Sequence, residues 1–463
     1  MNDLGIYAVG NLGAKAITFL MVPLYTYFVT QPADYGYYDI CLTAIFLVMP
    51  FLTLQLRDGA FRFLLDVTAD EERTKIVSMV YRTLGVTILI SIVITLVVDS
   101  VFHINYLWLT LALLIVMSIQ EVVSQVFRGL GNTKAFVAIG MLSAFGIGIF
   151  SVAFVAMMGM GIKGIFLANI LARLIAIAVV EFRVRTLRKF FSLTVSVRGI
   201  LRDILKYSIP LLPGSLCWWL TGSSDRWFIQ GFLGFEANGV YAVAVRFTSI
   251  LFTLGIIYYQ AWQETAIMQY NSSDRDKFFS KMLNSYVYVL ALLLIAFSFL
   301  LKINYGWLVD GNYAASKWYI YPMSVSTAFF AISAFFDMGY QCAKDTKRTL
   351  PAIILAAMVN VGLNFILVKH LGVWGAIVTS IVTYLVLVVY RWHDMKRYFQ
   401  LSISPLTAVP VLAVIAGAAP YYLDTALWQD VVALVVLMAL LLLACPPALK
   451  AEFQSRVTNI MRR

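Results

Sequence analysis

Histidine occurs only three times in this chain and cysteine only four, and charged residues make up 13% of its 463 positions, against about 25% in soluble domains. Each scarcity closes off a class of function. Cys41, Cys217, Cys342 and Cys445 stand singly in apolar surroundings, without the paired spacing of a zinc site or a disulfide framework. With His103, His370 and His393 as the imidazoles and no H-E-x-x-H pattern, no metal site and no catalytic residue is expected. Gly129-Leu130-Gly131-Asn132-Thr133-Lys134 lacks the spacing of a phosphate-binding loop, so neither ATP hydrolysis nor a cofactor is expected. Met1-Asn2-Asp3 lacks the basic stretch of a secretory signal, and the apolar run behind it reads as a retained spanning helix.

What the chain has in excess is apolar length. Hydrophobic residues are 61% of the total and the mean hydropathy is +0.84. A bilayer-spanning helix needs roughly 20 predominantly apolar residues, and runs of that length recur from Ile6 to Pro446. They predict an all-α polytopic membrane protein of fourteen helices, near 5–29, 38–61, 83–102, 106–127, 135–158, 162–182, 207–231, 238–262, 284–301, 318–341, 351–368, 372–391, 405–423 and 428–446.

The formal charge of +11 follows the alternation of loops. Loops on one side hold 26 Lys and Arg, Arg391 among them, and those on the other hold only Lys163, Lys302, Lys317 and Lys369. Positive charge is retained on the cytoplasmic side of a membrane, so both termini are expected there, in the cytoplasmic (inner) membrane. A topological origin of the charge removes the case for nucleic-acid binding.

Short motifs recur in the same order along the chain. Tyr35-Gly36-Tyr37-Tyr38 matches Asn238-Gly239-Val240-Tyr241, Gly131-Asn132-Thr133-Lys134 matches Lys344-Asp345-Thr346-Lys347, and Gly161-Ile162-Lys163-Gly164 matches Gly372-Val373-Trp374-Gly375. The offsets are similar, which predicts two copies of a six-helix unit. Residues 1–182 then form the N-terminal lobe and 207–397 the C-terminal lobe. A basic cytoplasmic linker, 183–206, joins them, and 398–463 add two helices and a tail. Six is even, so the lobes are related by an axis along the membrane normal.

Ionisable residues at bilayer depth are costly, at about 2.5–3.5 kcal/mol each, and mark pathways or paired contacts. Lys15, Arg57, Arg173, Arg226 and Arg246 fall inside the expected helices, whereas among the acids only Asp225 lies well inside one. The expected interior is net positive and suited to an anion. Snorkelling is the competing reading, strongest for Arg57, and Asp225 may be no more than a neutralising neighbour of Arg226. The run Thr221-Gly222-Ser223-Ser224-Asp225-Arg226, flanked by Trp218, Trp219 and Trp227, suits either sugar recognition or helix packing at an interface.

Pro23-Leu24-Tyr25-Thr26, Thr30-Gln31-Pro32 and Tyr35-Gly36-Tyr37-Tyr38 together resemble the opening of polysaccharide (O-antigen and exopolysaccharide) flippases, of the superfamily that includes multidrug and toxin extrusion transporters. Ser208-Ile209-Pro210, Asp225-Arg226-Trp227-Phe228-Ile229 and Gly239-Val240-Tyr241 look like the start of that family's second lobe. The resemblance implies a non-enzymatic flippase working by alternating access. Its substrate would be an undecaprenyl-pyrophosphate-linked oligosaccharide in a cation-rich cavity, and its partners membrane lipids, a polysaccharide polymerase and glycosyltransferases. Arg226 matches the family's Asp-Arg pair directly, while Lys15, Arg173 and Arg246 are assigned to substrate binding by depth and charge, with Asp225 positioning Arg226. Two alternatives stay open: a cation-coupled multidrug exporter, which needs acids deep in the first lobe, and a membrane-embedded polymerase, which needs catalytic groups in a substantial outer loop.

Overall fold

The computed structural model describes Gly13, Ile17, residues 19–423 and 426–443, and Cys445; the side chains at 260, 261, 264 and 346 are not described. No strand is present among the described residues. In chain order the helices are α1 (Phe19–Phe28), α2 (Pro32–Thr53), α3 (Leu56–Leu65), α4 (Asp70–Phe102), α5 (Leu107–Gly129) and α6 (Thr133–Ser151), whose end continues as a π-helical turn, Val152–Met157. There follow α7 (Gly161–Val184), α8 (Thr186–Phe190), α9 (Arg198–Ser208), α10 (Leu212–Gln269), α11 (Arg275–Leu308), α12 (Ser316–Cys342), α13 (Thr349–Leu371), α14 (Val373–Met395), α15 (Ala408–Tyr422) and α16 (Leu427–Leu443). Eleven of these segments are long and apolar enough to cross a membrane. One of them, α10, is two arms, 212–233 and 235–269, broken at Gly234 where φ is +89°. With the shorter apolar helices α1 and α16 this gives the expected fourteen.

Large apolar side chains face outward along these helices. On α4, Val86, Leu89, Val93, Val97 and Val101 are each more than half exposed, at the three- and four-residue spacing of one helix face. Such a stripe has no place in water and is the surface a helix presents to lipid.

The second expected helix changes at both ends. The single helix expected over 38–61 is two, because Leu54 and Gln55 take positive φ values of 49° and 53° four residues after Pro50. The second helix also begins earlier, at Pro32, since proline's fixed φ and missing donor suit the first turn. Asp39 therefore lies two turns inside α2.

Contacts divide the chain into two units, Met1–Gly239 and Val240–Arg463. In the first, α6 packs on α7 and α3 on α5 and α9. The basic segment after α7 is tied to α4, where Arg82 donates to the carbonyls of Ser192 (2.6 Å) and Val195 (3.0 Å). Within this unit the repeated motif meets its own copy. A Cβ on Gly36 would lie 1.9 Å from the carbonyl oxygen of Phe235, and one on Gly239 would lie 1.9 Å from that of Pro32. Each glycine thus rests on the carbonyl four residues before the other. Asn238 donates to the Gly36 carbonyl at 2.9 Å and secures the crossing.

In the second unit, α12, α13 and α14 pack together and α15 and α16 rest on α11. Lys302, assigned to a loop by sequence, lies inside α11, which runs on to Leu308. Its ammonium donates to Asp430 (2.6 Å) and to the carbonyls of Pro420 (2.9 Å) and Leu423 (3.0 Å), so it anchors the last two helices. Arg391, also assigned to a loop, is 2% exposed inside α14 and lies 3.0 Å from Asp337. Between α12 and α13, the Tyr398 hydroxyl (2.9 Å) and the Arg348 Nε (2.8 Å) donate to Asp345 and hold its carboxyl below the usual range.

Candidate functional site

A cavity of about 370 Å³ lies inside the first unit, among α2, α5, α6 and α7. Helix α5 supplies its polar wall with Gln120, Glu121, Ser124 and Gln125, after Met117. That spacing of three, four, seven and eight residues places them on one helix face. Phe46 and Met49 of α2, together with Phe136 and Met141 of α6, make the apolar side.

Arg173, in the middle of α7, closes the polar wall. At 1.5 Å per residue it stands about 16–18 Å from either helix end. Its guanidinium donates to the Gln120 side-chain carbonyl at 2.8 Å, a neutral partner, and its Nε–H, shielded from solvent, has no acceptor among the described residues. A buried donor left unpaired costs about 1–3 kcal/mol. Glu121 is engaged from outside the cavity wall by Arg57 of α3, which also lies 3.2 Å from Asp58.

Arg226, on the first arm of α10, has a different environment. Its Nε is 2.9 Å from Oδ2 of Asp39 on α2, with the two side chains 11% and 4% exposed. The Nε–H is not aimed at that oxygen, so the contact is ionic more than hydrogen-bonded. The neighbouring Trp219 and Trp227 donate to the carbonyl (2.9 Å) and hydroxyl (3.1 Å) of Thr43, one turn along α2 from Asp39. Asp225 is 5% exposed on the same arm, and consecutive helical residues do not face one another. The acid that meets Arg226 is Asp39, which the late start expected for the second helix had placed at its edge.

Arg246 lies in the second unit, half-buried on the other arm of α10. Lys15 lies outside the described residues. Sequence reasoning missed Asp39, Gln120 and Gln125. The signal for the two glutamines was the polar face that they share with Glu121 and Ser124 in an otherwise apolar helix. Among the described residues no group of His, Cys, Asp and Glu could hold a metal ion.

This arrangement of helices is one that solved membrane transporters share. It superposes on a lipid II flippase MurJ in an inward closed conformation with a TM-score of 0.71, at 12% identity over 95% of this chain and 97% of that one. It is also similar to a multidrug resistance MATE family transporter of the MOP superfamily in an inward-facing conformation, with a TM-score of 0.65 at 16% identity over 83% of this chain and 95% of that one. At such identities the likeness defines the fold. The chain belongs to the polysaccharide biosynthesis protein family, whose model matches residues 1–262. No curated protein matches the sequence.

Proposed function

We propose that the protein is a flippase that moves an undecaprenyl-pyrophosphate-linked oligosaccharide across the cytoplasmic membrane by alternating access, for the synthesis of a surface polysaccharide such as O-antigen or exopolysaccharide. Its six-helix lobes, 1–182 and 207–397, alternate about the substrate path, and both termini face the cytoplasm. Lys15, Arg173, Arg226 and Arg246 attract the pyrophosphate or acidic sugars, and Asp225 belongs to the same polar stretch as Arg226.

The observation that carries this reading is Arg173. Arginine at mid-helix depth is expensive unless its charge is used or cancelled, and here it faces a cavity with a neutral hydrogen-bond partner and, among the described residues, an unsatisfied donor. A multidrug exporter coupled to cations would instead need an acid whose charge is available. Two acids inside helices of the first unit, Asp39 and Glu121, are met by arginines, Arg226 and Arg57.

Since Gln120 is neutral and Glu121 keeps its contact with Arg57, removing Arg173 strands no acid, and Arg173→Gln should fold. Expressed in a strain deleted for the gene, Arg173→Gln and Arg173→Glu are expected to reach the membrane at wild-type levels and to lose most surface polysaccharide. Normal polysaccharide with Arg173→Glu would refute the proposal.

A further inference from the structure

We infer that the cavity walled by α5 and α7 is a saccharide subsite, which reads the sugar next to the pyrophosphate; the inference rests on the flippase reading above. A phosphate group by itself calls for cations and backbone donors. This cavity offers more. Two carboxamides, Gln120 and Gln125, stand with the Ser124 hydroxyl and the Glu121 carboxylate along one helix face. A lipid tail or an apolar drug would desolvate these groups without meeting the polar atoms that Arg173 and Arg57 leave unengaged.

The opposite wall is apolar, with Phe46 and Phe136 among its residues. Mixed donors and acceptors beside an apolar lining that includes two phenyl rings match a pyranose, which carries hydroxyls around its edge and C–H groups on its faces. The hydrogen bonds already made assign directions. Arg173 occupies the Gln120 carbonyl oxygen, so the Gln120 amide presents its N–H group as a donor. Arg57 takes one Glu121 oxygen, and the other remains an acceptor. Hydroxyls both donate and accept, and this pairing serves them. At about 370 Å³ the cavity is at the small end of ligand pockets, which run from roughly 300 to 1,000 Å³. It would hold the proximal sugar and its phosphate, leaving most of the glycan outside. Gln125 and Ser124, away from the Arg173 contact, would then set sugar specificity.

The test uses the full-length protein in nanodiscs, titrated with undecaprenyl pyrophosphate and with the same lipid carrying one glucose, galactose or N-acetylglucosamine, with tryptophan fluorescence as readout. At least one sugar should tighten binding tenfold or more over the bare lipid. Gln125→Leu and Ser124→Ala should reduce that increment to less than twofold while keeping the affinity for the bare lipid within twofold of wild type. Variants that retain the increment, or weaken both lipids equally, would overturn the subsite. Binding of the bare lipid with no increment for any sugar would also overturn it while leaving the carrier reading intact. Failure of the bare lipid to bind would remove the carrier reading, and the subsite with it.

Discussion

Replacing Arg226 tests whether it serves the fold, the cargo or both. Arg226→Met leaves Asp39, whose side chain is 4% exposed, without the guanidinium now 2.9 Å away. Breaking one side of a buried ion pair costs about 3–5 kcal/mol, because the surviving charge stays desolvated, whereas replacing both partners by apolar groups is often close to neutral. The single substitution should therefore lower the melting temperature of the purified protein markedly. Asp39→Leu combined with Arg226→Met should restore most of the loss. Surface polysaccharide, measured in a deletion strain at matched membrane levels, gives the second reading. If Arg226 contacts the anionic cargo, the stable double variant still fails to export. Wild-type export by the double variant would refute the substrate role of Arg226 and leave it as a link between α2 and α10. A double variant as unstable as the single would refute the account of the pair.

Two further outcomes follow from packing. Gly36→Ala would place a methyl group 1.9 Å from the Phe235 carbonyl oxygen and 2.7 Å from the Gly239 nitrogen, backbone atoms that yield only if the helices separate. It should destabilise by at least the 1–3 kcal/mol typical of overpacking (about), while Gly214→Ala, with nothing within 4 Å, should not; equal melting temperatures would contradict the crossing. Lys302→Met should cost about 3–5 kcal/mol by stranding the 7%-exposed Asp430 side chain, and adding Asp430→Leu should recover most of it in the same melting assay.

The helices were legible in the sequence because apolar length is a local property, and the bilayer imposes it directly. Boundaries that depend on polar first turns were not. Pro32 begins α2, yet Tyr35-Gly36-Tyr37-Tyr38 lowers the hydropathy there, so the apolar window opens at 38 and pushes Asp39 to the helix edge. Lys302 and Arg391 were assigned to loops for a related reason. A base near the end of an apolar run looks solvated until its acid is known, and Asp430 is 128 residues from Lys302 in the chain. The repeat was visible as motifs, but only the reciprocal seating of Gly36 and Gly239 shows why glycine recurs in both copies.

These pairings change what the interior charge means. A count of bases at helix depth suggested an anion path by excess alone. In the fold, two of those five bases are met by acids that sequence reading had placed at helix ends or overlooked, Arg226 by Asp39 and Arg57 by Glu121, and two bases assigned to loops are paired as well, Lys302 with Asp430 and Arg391 with Asp337. Pairs of this kind hold helices together in a medium where an isolated charge is costly, and they contribute little field to a passing anion. Arg173 differs because its partner is an amide and its surroundings are a cavity. Among the described residues of the first unit, Arg173 is the mid-helix base held by an amide in place of a carboxylate, and the case for an anionic cargo leans on it, which is a narrower claim than a basic interior and an easier one to refute.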